Sequence, residues 1–300
     1  MAVDVGIKRL RHYWPVYLLI VLPFAGILLF NYYPIYNGIK HIFYRWDGDQ
    51  IEEFVAFQNI VKMARDAELW RSFRVVLIFI LANLVKMIPP IMTAVVIHHL
   101  VSGRAQYVYR VLFVIPMIVP MLLWVLLWKY FYEPNFGAVN TALRALGILE
   151  PTESIGWLTN KGLIIPSLIF QGFPWVGAFG VLIYLAGLQN IPSEVYEAAY
   201  IDGAGAWKVF RHVEVPLITT QIRINLVLMM IHTVQGWQNI YLMLGESGGR
   251  DGVATVPGLY VFRESFRNGY MGYGCAIGFL LFLITLGLTY INNKYARVKK

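Results

Sequence analysis

The sequence predicts an all-α integral membrane protein with six transmembrane helices. Two observations carry that prediction. Apolar residues make up 58% of the 300-residue chain and charged residues only 14%, where a soluble domain carries about 25% charged residues. The apolar residues also gather into six segments near the ~20 helical residues that a bilayer crossing needs: roughly Pro15–Ile35, Phe73–Ile97, Val108–Tyr130, Leu163–Leu188, Ile222–Leu244 and Tyr273–Asn292.

The first segment follows Lys8, Arg9 and Arg11. It exceeds the roughly 7–15 residues of a signal-peptide core and lacks a small-residue exit, so it reads as an uncleaved span. Residues 1–14 then form a cytoplasmic N-terminal segment and residues 15–300 a single transmembrane domain. The second segment holds Pro89 and Pro90 and is expected to kink, with neighbouring helices or water satisfying the freed backbone groups. Lys86 and Lys129 read as side chains that snorkel to an interface. The fourth and fifth segments carry the polar and aromatic residues Gln171, Trp175, His232, Gln235, Trp237, Gln238 and Asn239. Such groups usually face the interior of a bundle, as interhelical hydrogen bonds or as contacts for a hydroxylated solute. In the sixth, Gly274 and Gly278 form a small-residue packing face.

Six spans place both termini on one side. Basic residues crowd Met1–Trp14, the loop around Arg104 and Arg110, the loop Gln189–Gln221 and the tail after Asn293, whereas 12 of the 17 acidic residues fall in the other three loops. The positive-inside rule therefore puts both termini in the cytoplasm. The net charge of +8 is scattered between apolar spans, which fits anionic headgroups rather than nucleic acid. Cys275 is the single cysteine, so the chain holds neither a disulfide nor a cysteine metal site. His98-His99 lacks a third ligand and reads as interfacial rather than metal-binding. Gly245-Glu246-Ser247-Gly248-Gly249 fits G-x-S-x-G, but no His follows it and the hydrolase context is missing. No P-loop string is present. No catalytic, cofactor or metal residue is expected.

The longest inner loop is a helix-forming sequence. Ser193 follows Ile191-Pro192 and suits a cap. Glu194 and Glu197 favour the positive end of a helix, Ala198 and Ala199 favour its interior, and Asp202-Gly203 is a stop. Ala206, Val209, Phe210 and Val213 then recur at helical spacing, and Pro216 is expected to end the second helix before the fifth span. The outer loops read as a platform: Tyr36–Arg71 is mixed and amphipathic, Phe131–Lys161 has a short helical run at Val139–Leu146, and Glu246–Tyr270 is Gly-rich and then helical.

The string Glu197-Ala198-Ala199, Asp202-Gly203-Ala204, Phe210 and then Val213-Glu214-Val215-Pro216 resembles the EAA loop of the permease subunits of binding-protein-dependent ABC importers. Arg110, Phe113 and Pro116, then Gly137 and Asn140, and Met271-Gly272-Tyr273-Gly274 resemble the maltose-type, carbohydrate-importing subfamily, and the resemblance covers essentially the whole chain. The chain departs at Gly245–Arg250, whose turn lacks the usual Pro, and at Thr220, where the family often has Pro. The resemblance implies a type I importer permease fold with a sugar as cargo. It implies a second homologous permease chain, two ATPase subunits carrying ATP and Mg, an extracytoplasmic solute-binding protein, and an inner membrane of a prokaryote. It implies that Glu197, Ala198, Ala199, Asp202, Gly203, Ala204, Phe210 and Pro216 couple the chain to the ATPase. A secondary transporter needs ionisable groups at membrane depth or inverted repeats, and an intramembrane enzyme needs a partner for His232; the sequence offers little of either.

Overall fold

A computed structural model describes residues 13–295. The segment expected to be cytoplasmic, residues 1–14, therefore lies almost wholly outside the described residues. The chain divides into two compact units, one of residues 1–66 and 264–279, the other of residues 67–263 and 280–300.

In the first unit, α1 (Trp14–His41) is a 28-residue apolar helix with a wider π turn at Leu28–Tyr32. A turn leads into a hairpin of β1 (Tyr44–Trp46) and β2 (Glu52–Phe54), paired antiparallel with Arg45 opposite Glu53. These are the only strands among the described residues, and they form where the sequence reads only as mixed. Asp47 closes the hairpin by accepting the backbone N–H groups of Asp49 and Ile51, each at 3.0 Å. The His41 ring stacks on Trp46 at 4.0 Å. From α2 (Gln58–Arg65), Asn59 donates to the carbonyls of Ile42 and Tyr44 at 2.8 and 2.9 Å. Lys62 sits over the rings of Tyr270 and Tyr273. Gly272, at the start of α14 (Met271–Tyr295), leaves no room for a Cβ against the carbonyls of Tyr44 and His41, which accounts for Met-Gly-Tyr-Gly there.

The second unit is built on α3 (Ala67–His98), α4 (Gly103–Ile118), α5 (Met121–Phe131), α6 (Ala138–Ala145), α7 (Lys161–Phe170), α8 (Ala178–Leu188), α9 (Ser193–Ile201), α10 (Ala206–Leu217), α11 (Thr219–Gln235), α12 (Gln238–Leu244) and α13 (Pro257–Phe262). Two apolar cores hold it. One gathers Val76, Val125, Trp128, Ile164, Leu168, Ile240 and Leu259. The other gathers Ala94 and Ile97 with Val181, Tyr184, Leu185, Leu188 and Ile218. Lipid tails are as apolar as these side chains, so close packing rather than removal from water holds the spans together.

Among the described residues, only α1, α3 and α14 are long and apolar enough to cross a membrane as unbroken helices. The other three predicted spans are interrupted, which hydropathy does not report. The third turns by 89° between α4 and α5, because Pro120 drives Val119 to extended backbone at φ −69°, ψ 120°. The fourth is two short apolar helices, α7 and α8, separated by residues 171–177; Gly172 and Trp175 both take positive φ there, 85° and 60°. The fifth ends its long helix at Gln235 and restarts as α12 at Gln238. In α3 the expected disturbance at Pro89-Pro90 is a single turn at Met87, and the two halves continue as one 32-residue span.

On the outer side of the predicted topology, α6 is pinned by fully buried Asn140. Its Nδ2 donates to the carbonyls of Pro134 and Ile155 at 2.8 and 3.0 Å, and its Oδ1 accepts from Trp157 Nε1 at 2.8 Å. Gly137 precedes α6 where a Cβ would run into the carbonyls of Glu133 and Phe131.

Candidate functional site

The loop 189–217 folds as the expected helix pair. In α9, Glu197 and Ala198 are exposed, and Ala199 is half-buried. The helix ends in a double hydrogen-bonded turn: the Gly203 N–H donates to Tyr200 O at 3.0 Å and the Ala204 N–H to Ala199 O at 2.9 Å. That turn needs a left-handed residue, and Gly203 has φ 73°. Tyr200 and Ile201 before the turn and Trp207 after it stand out with exposures of 54%, 86% and 65%.

Two local expectations are corrected. Ser193 does not cap α9: Pro192 occupies the cap position, and no side chain bonds to the first free N–H groups. Pro216 does not end α10. A π turn at Phe210–Glu214 widens the helix ahead of it, which relieves the clash a proline ring makes with the carbonyl four residues back. The chain instead bends by 66° between Leu217 and Thr219, at fully buried Ile218.

The same π turn places Glu214 inside the protein at 1% exposure. His99 Nε2 lies 2.6 Å from Glu214 Oε1, and the Tyr196 hydroxyl donates to the same oxygen at 3.4 Å. That hydroxyl also lies 3.2 Å from His98 Nε2. Burial, then the Glu214 charge, pushes the Tyr196 phenol up, so it stays a donor. One carboxylate thus ties α9 and α10 to the end of α3, whose last carbonyls are capped by Gln106 Nε2.

Above the helix pair, two adjoining cavities of about 610 and 560 Å³ open in the second unit. Asn83, Lys86, Met121, Trp124, Gln171 and Met229 line both. Trp175 lines the first; His232, Trp237, Gln238 and Asn239 line the second. Gln171 and Asn239 exchange hydrogen bonds across the break, Asn239 Nδ2 donating at 2.8 Å and Gln171 Nε2 at 3.3 Å. Trp175 is fixed by its Nε1–H to Ile169 O at 3.1 Å, and Trp237 stacks on Phe262 at 4.6 Å. Amide groups and indole faces together suit a polyhydroxylated solute, which offers hydrogen-bond partners along its edges and C–H faces to aromatic rings. No group of three His, Cys, Asp or Glu side chains among the described residues is placed to hold a metal ion.

Residues 90–297 match the family of binding-protein-dependent transport system inner membrane components. The chain belongs to this family of permeases. It is 30% identical to the multiple sugar-binding transport system permease protein MsmF of Streptococcus mutans, over 92% of this chain and 93% of that one. It is 28% identical to the trehalose/maltose transport system permease protein MalF of Thermococcus litoralis, over 95% and 94%. A solved structure of a bacterial ABC transporter for the import of alginate shares the fold, with a TM-score of 0.83, 21% identity, and coverage of 98% of this chain and 99% of that one. The permease is a multi-pass inner membrane protein and a transport subunit, not an enzyme.

The structure brings together most of the predicted candidates. Gln171, Trp175, His232, Trp237, Gln238 and Asn239 converge on the cavities, while Gln235 lines neither and is exposed. Lys86 corrects the snorkelling expectation: it is half-buried and lines both cavities, its Nζ 5.7 Å from the centre of the Trp175 ring. Lys129 is exposed and donates to Leu242 O at 3.3 Å. Asn83 and Trp124 were missed, because a lone Asn and a lone Trp in apolar runs carry no spacing signal.

Proposed function

We propose that this permease forms the translocation pathway of an ATP-driven sugar importer. In this reading a solute-binding protein delivers the sugar to the outer loops, a second homologous permease chain completes the pathway, and two ATPase subunits drive it from the cytoplasm. ATP and Mg reside on the ATPase subunits, and both termini of the permease are cytoplasmic. Glu197, Ala198, Ala199, Asp202, Gly203, Ala204, Phe210 and Pro216 build the loop that meets the ATPase, and the cavity amides and indoles meet the sugar. The observation that carries the reading is α9: a short helix with Glu197 and Ala198 exposed, ending in exposed Tyr200 and Ile201, stopped by Gly203 and followed by exposed Trp207. Apolar groups exposed together on a polar loop mark a protein contact. Sugar as cargo is supported by the names of MsmF and MalF, each aligned over nine-tenths of this chain.

The test is affinity purification of the chain from its native cells in mild detergent. A second permease and an ATPase are expected to co-purify, with ATP hydrolysis rising when the binding protein is added. A chain that purifies alone and moves solute through liposomes without ATP refutes the reading and makes it a secondary transporter.

A further inference from the structure

Lys86 is the sole Asp, Glu, Lys or Arg side chain lining either cavity among the described residues. It closes the first half of α3, and the prolines at 89 and 90 follow directly. Its Nζ faces the Trp175 ring, and no carboxylate lies within ion-pair distance of it among the described residues. A cation held at membrane depth without a counter-charge is costly and points to a functional partner. Another part of the lining has the same sign. Gly177, Ala178 and Gly180, at the N-terminus of the 11-residue helix α8, line the first cavity; the Gly177 N–H donates to Trp175 O at 3.0 Å, and no side chain caps the helix end. Such a helix end favours anions. The remaining polar lining is amides such as Gln171 and Asn239, the Tyr184 and Thr233 hydroxyls, indoles and the His232 imidazole.

Resting on the proposed import function, we infer that the cargo is an anionic saccharide, carrying a carboxylate or a phosphate, and that Lys86 is the residue that selects it. The amides and indoles hold the sugar ring, and the ammonium group supplies the counter-charge along the pathway. A neutral sugar would leave that charge unpaired and gain nothing from it.

The test uses the whole importer in vesicles with its binding protein, and ATP-driven uptake of labelled trigalacturonate, glucose 6-phosphate and maltotriose. The unaltered chain, K86Q and K86R are compared, with assembly of each complex followed by gel filtration. Uptake of an acidic sugar is expected, with KM raised about tenfold in K86Q, the loss of one charge-assisted contact, and restored in K86R. Trigalacturonate against glucose 6-phosphate decides between carboxylate and phosphate. Uptake of maltotriose alone overturns the inference. So does uptake of none of the three probes, an unchanged acidic KM in K86Q, or an equal loss on acidic and neutral sugars, which would put Lys86 in packing rather than selection. Absence of ATP-driven uptake of any saccharide in a broad library strikes the import reading itself.

Discussion

Replacing His99 by Ala tests the buried carboxylate beneath the bundle. Glu214 is 1% exposed and has one short partner, His99 at 2.6 Å, and one long one, Tyr196 at 3.4 Å. H99A leaves a buried acid with the long contact alone. Breaking a buried pair from one side costs about 3–5 kcal/mol. The His99 side chain is 41% exposed, and solvent screens such a pair, so the lower end, about 3 kcal/mol, is expected. Removing both partners is milder, because no unpaired charge remains. The double variant H99A/E214Q should therefore recover much of the loss. The assay is thermal melting of the purified importer in detergent, with ATP hydrolysis stimulated by the binding protein as a second readout. H99A should melt lowest and lose stimulation, and the double variant should sit between it and the unaltered chain. An H99A importer that melts like the unaltered one, or a double variant that melts no higher than H99A, would refute the reasoning.

Three further outcomes are expected. G203P removes the N–H that closes the α9 turn and cannot take φ 73°, so uptake and stimulated ATP hydrolysis should vanish while the chain still inserts; E197K should do the same by reversing an exposed charge on α9, and normal uptake by either variant removes the coupling role. N140A strands the Ile155 carbonyl and the Trp157 N–H, while the Pro134 carbonyl keeps Arg144 Nη2 at 3.3 Å, which should cost about 2 kcal/mol at the lower end of 1–3 kcal/mol per group and expose residues 131–161 to added protease. Asp47 is held below the usual carboxylate range, first by the Asp49 and then by the Ile51 backbone N–H. A lowered folded pKa stabilises fully above the ordinary value near 4 and is lost as pH falls through the lowered one. D47A should thus speed proteolysis of the hairpin at neutral pH, and the difference from the unaltered chain should disappear in acid.

The spans and the loop helices were legible because each rests on a local signal: apolar length for α1, α3 and α14, and Ala-Ala followed by Asp-Gly for α9 and its stop. The breaks in the third, fourth and fifth spans were not, since hydropathy averages across Val119-Pro120, Gly172 and Gly236 without registering their backbone angles. Pro216 misled for the opposite reason. Its local rule is sound, but the π turn before it changes which carbonyl the ring meets. Glu214 reads in sequence as one more loop acid, and only the fold shows it facing His99. Lys86 is ambiguous from sequence in principle, because a lysine at that depth reaches an interface or a cavity depending on which neighbours are absent.

The broken fourth span bears on how this permease can change over time. Between Gln171 and Ala178 the backbone leaves the helical ladder, and Gly172, Val176 and Gly177 themselves form cavity wall. Peptide N–H and C=O groups there belong to no side chain. In the proposed pathway, substitutions of Trp175 or Lys86 would shift the solute, whereas the loop backbone, whose Phe173, Trp175 and Gly177 N–H groups bond to the carbonyls of Phe170, Gly172 and Trp175, keeps its course through every such change. A side-chain scan of the wall would then understate how much of the cavity's shape the main chain sets.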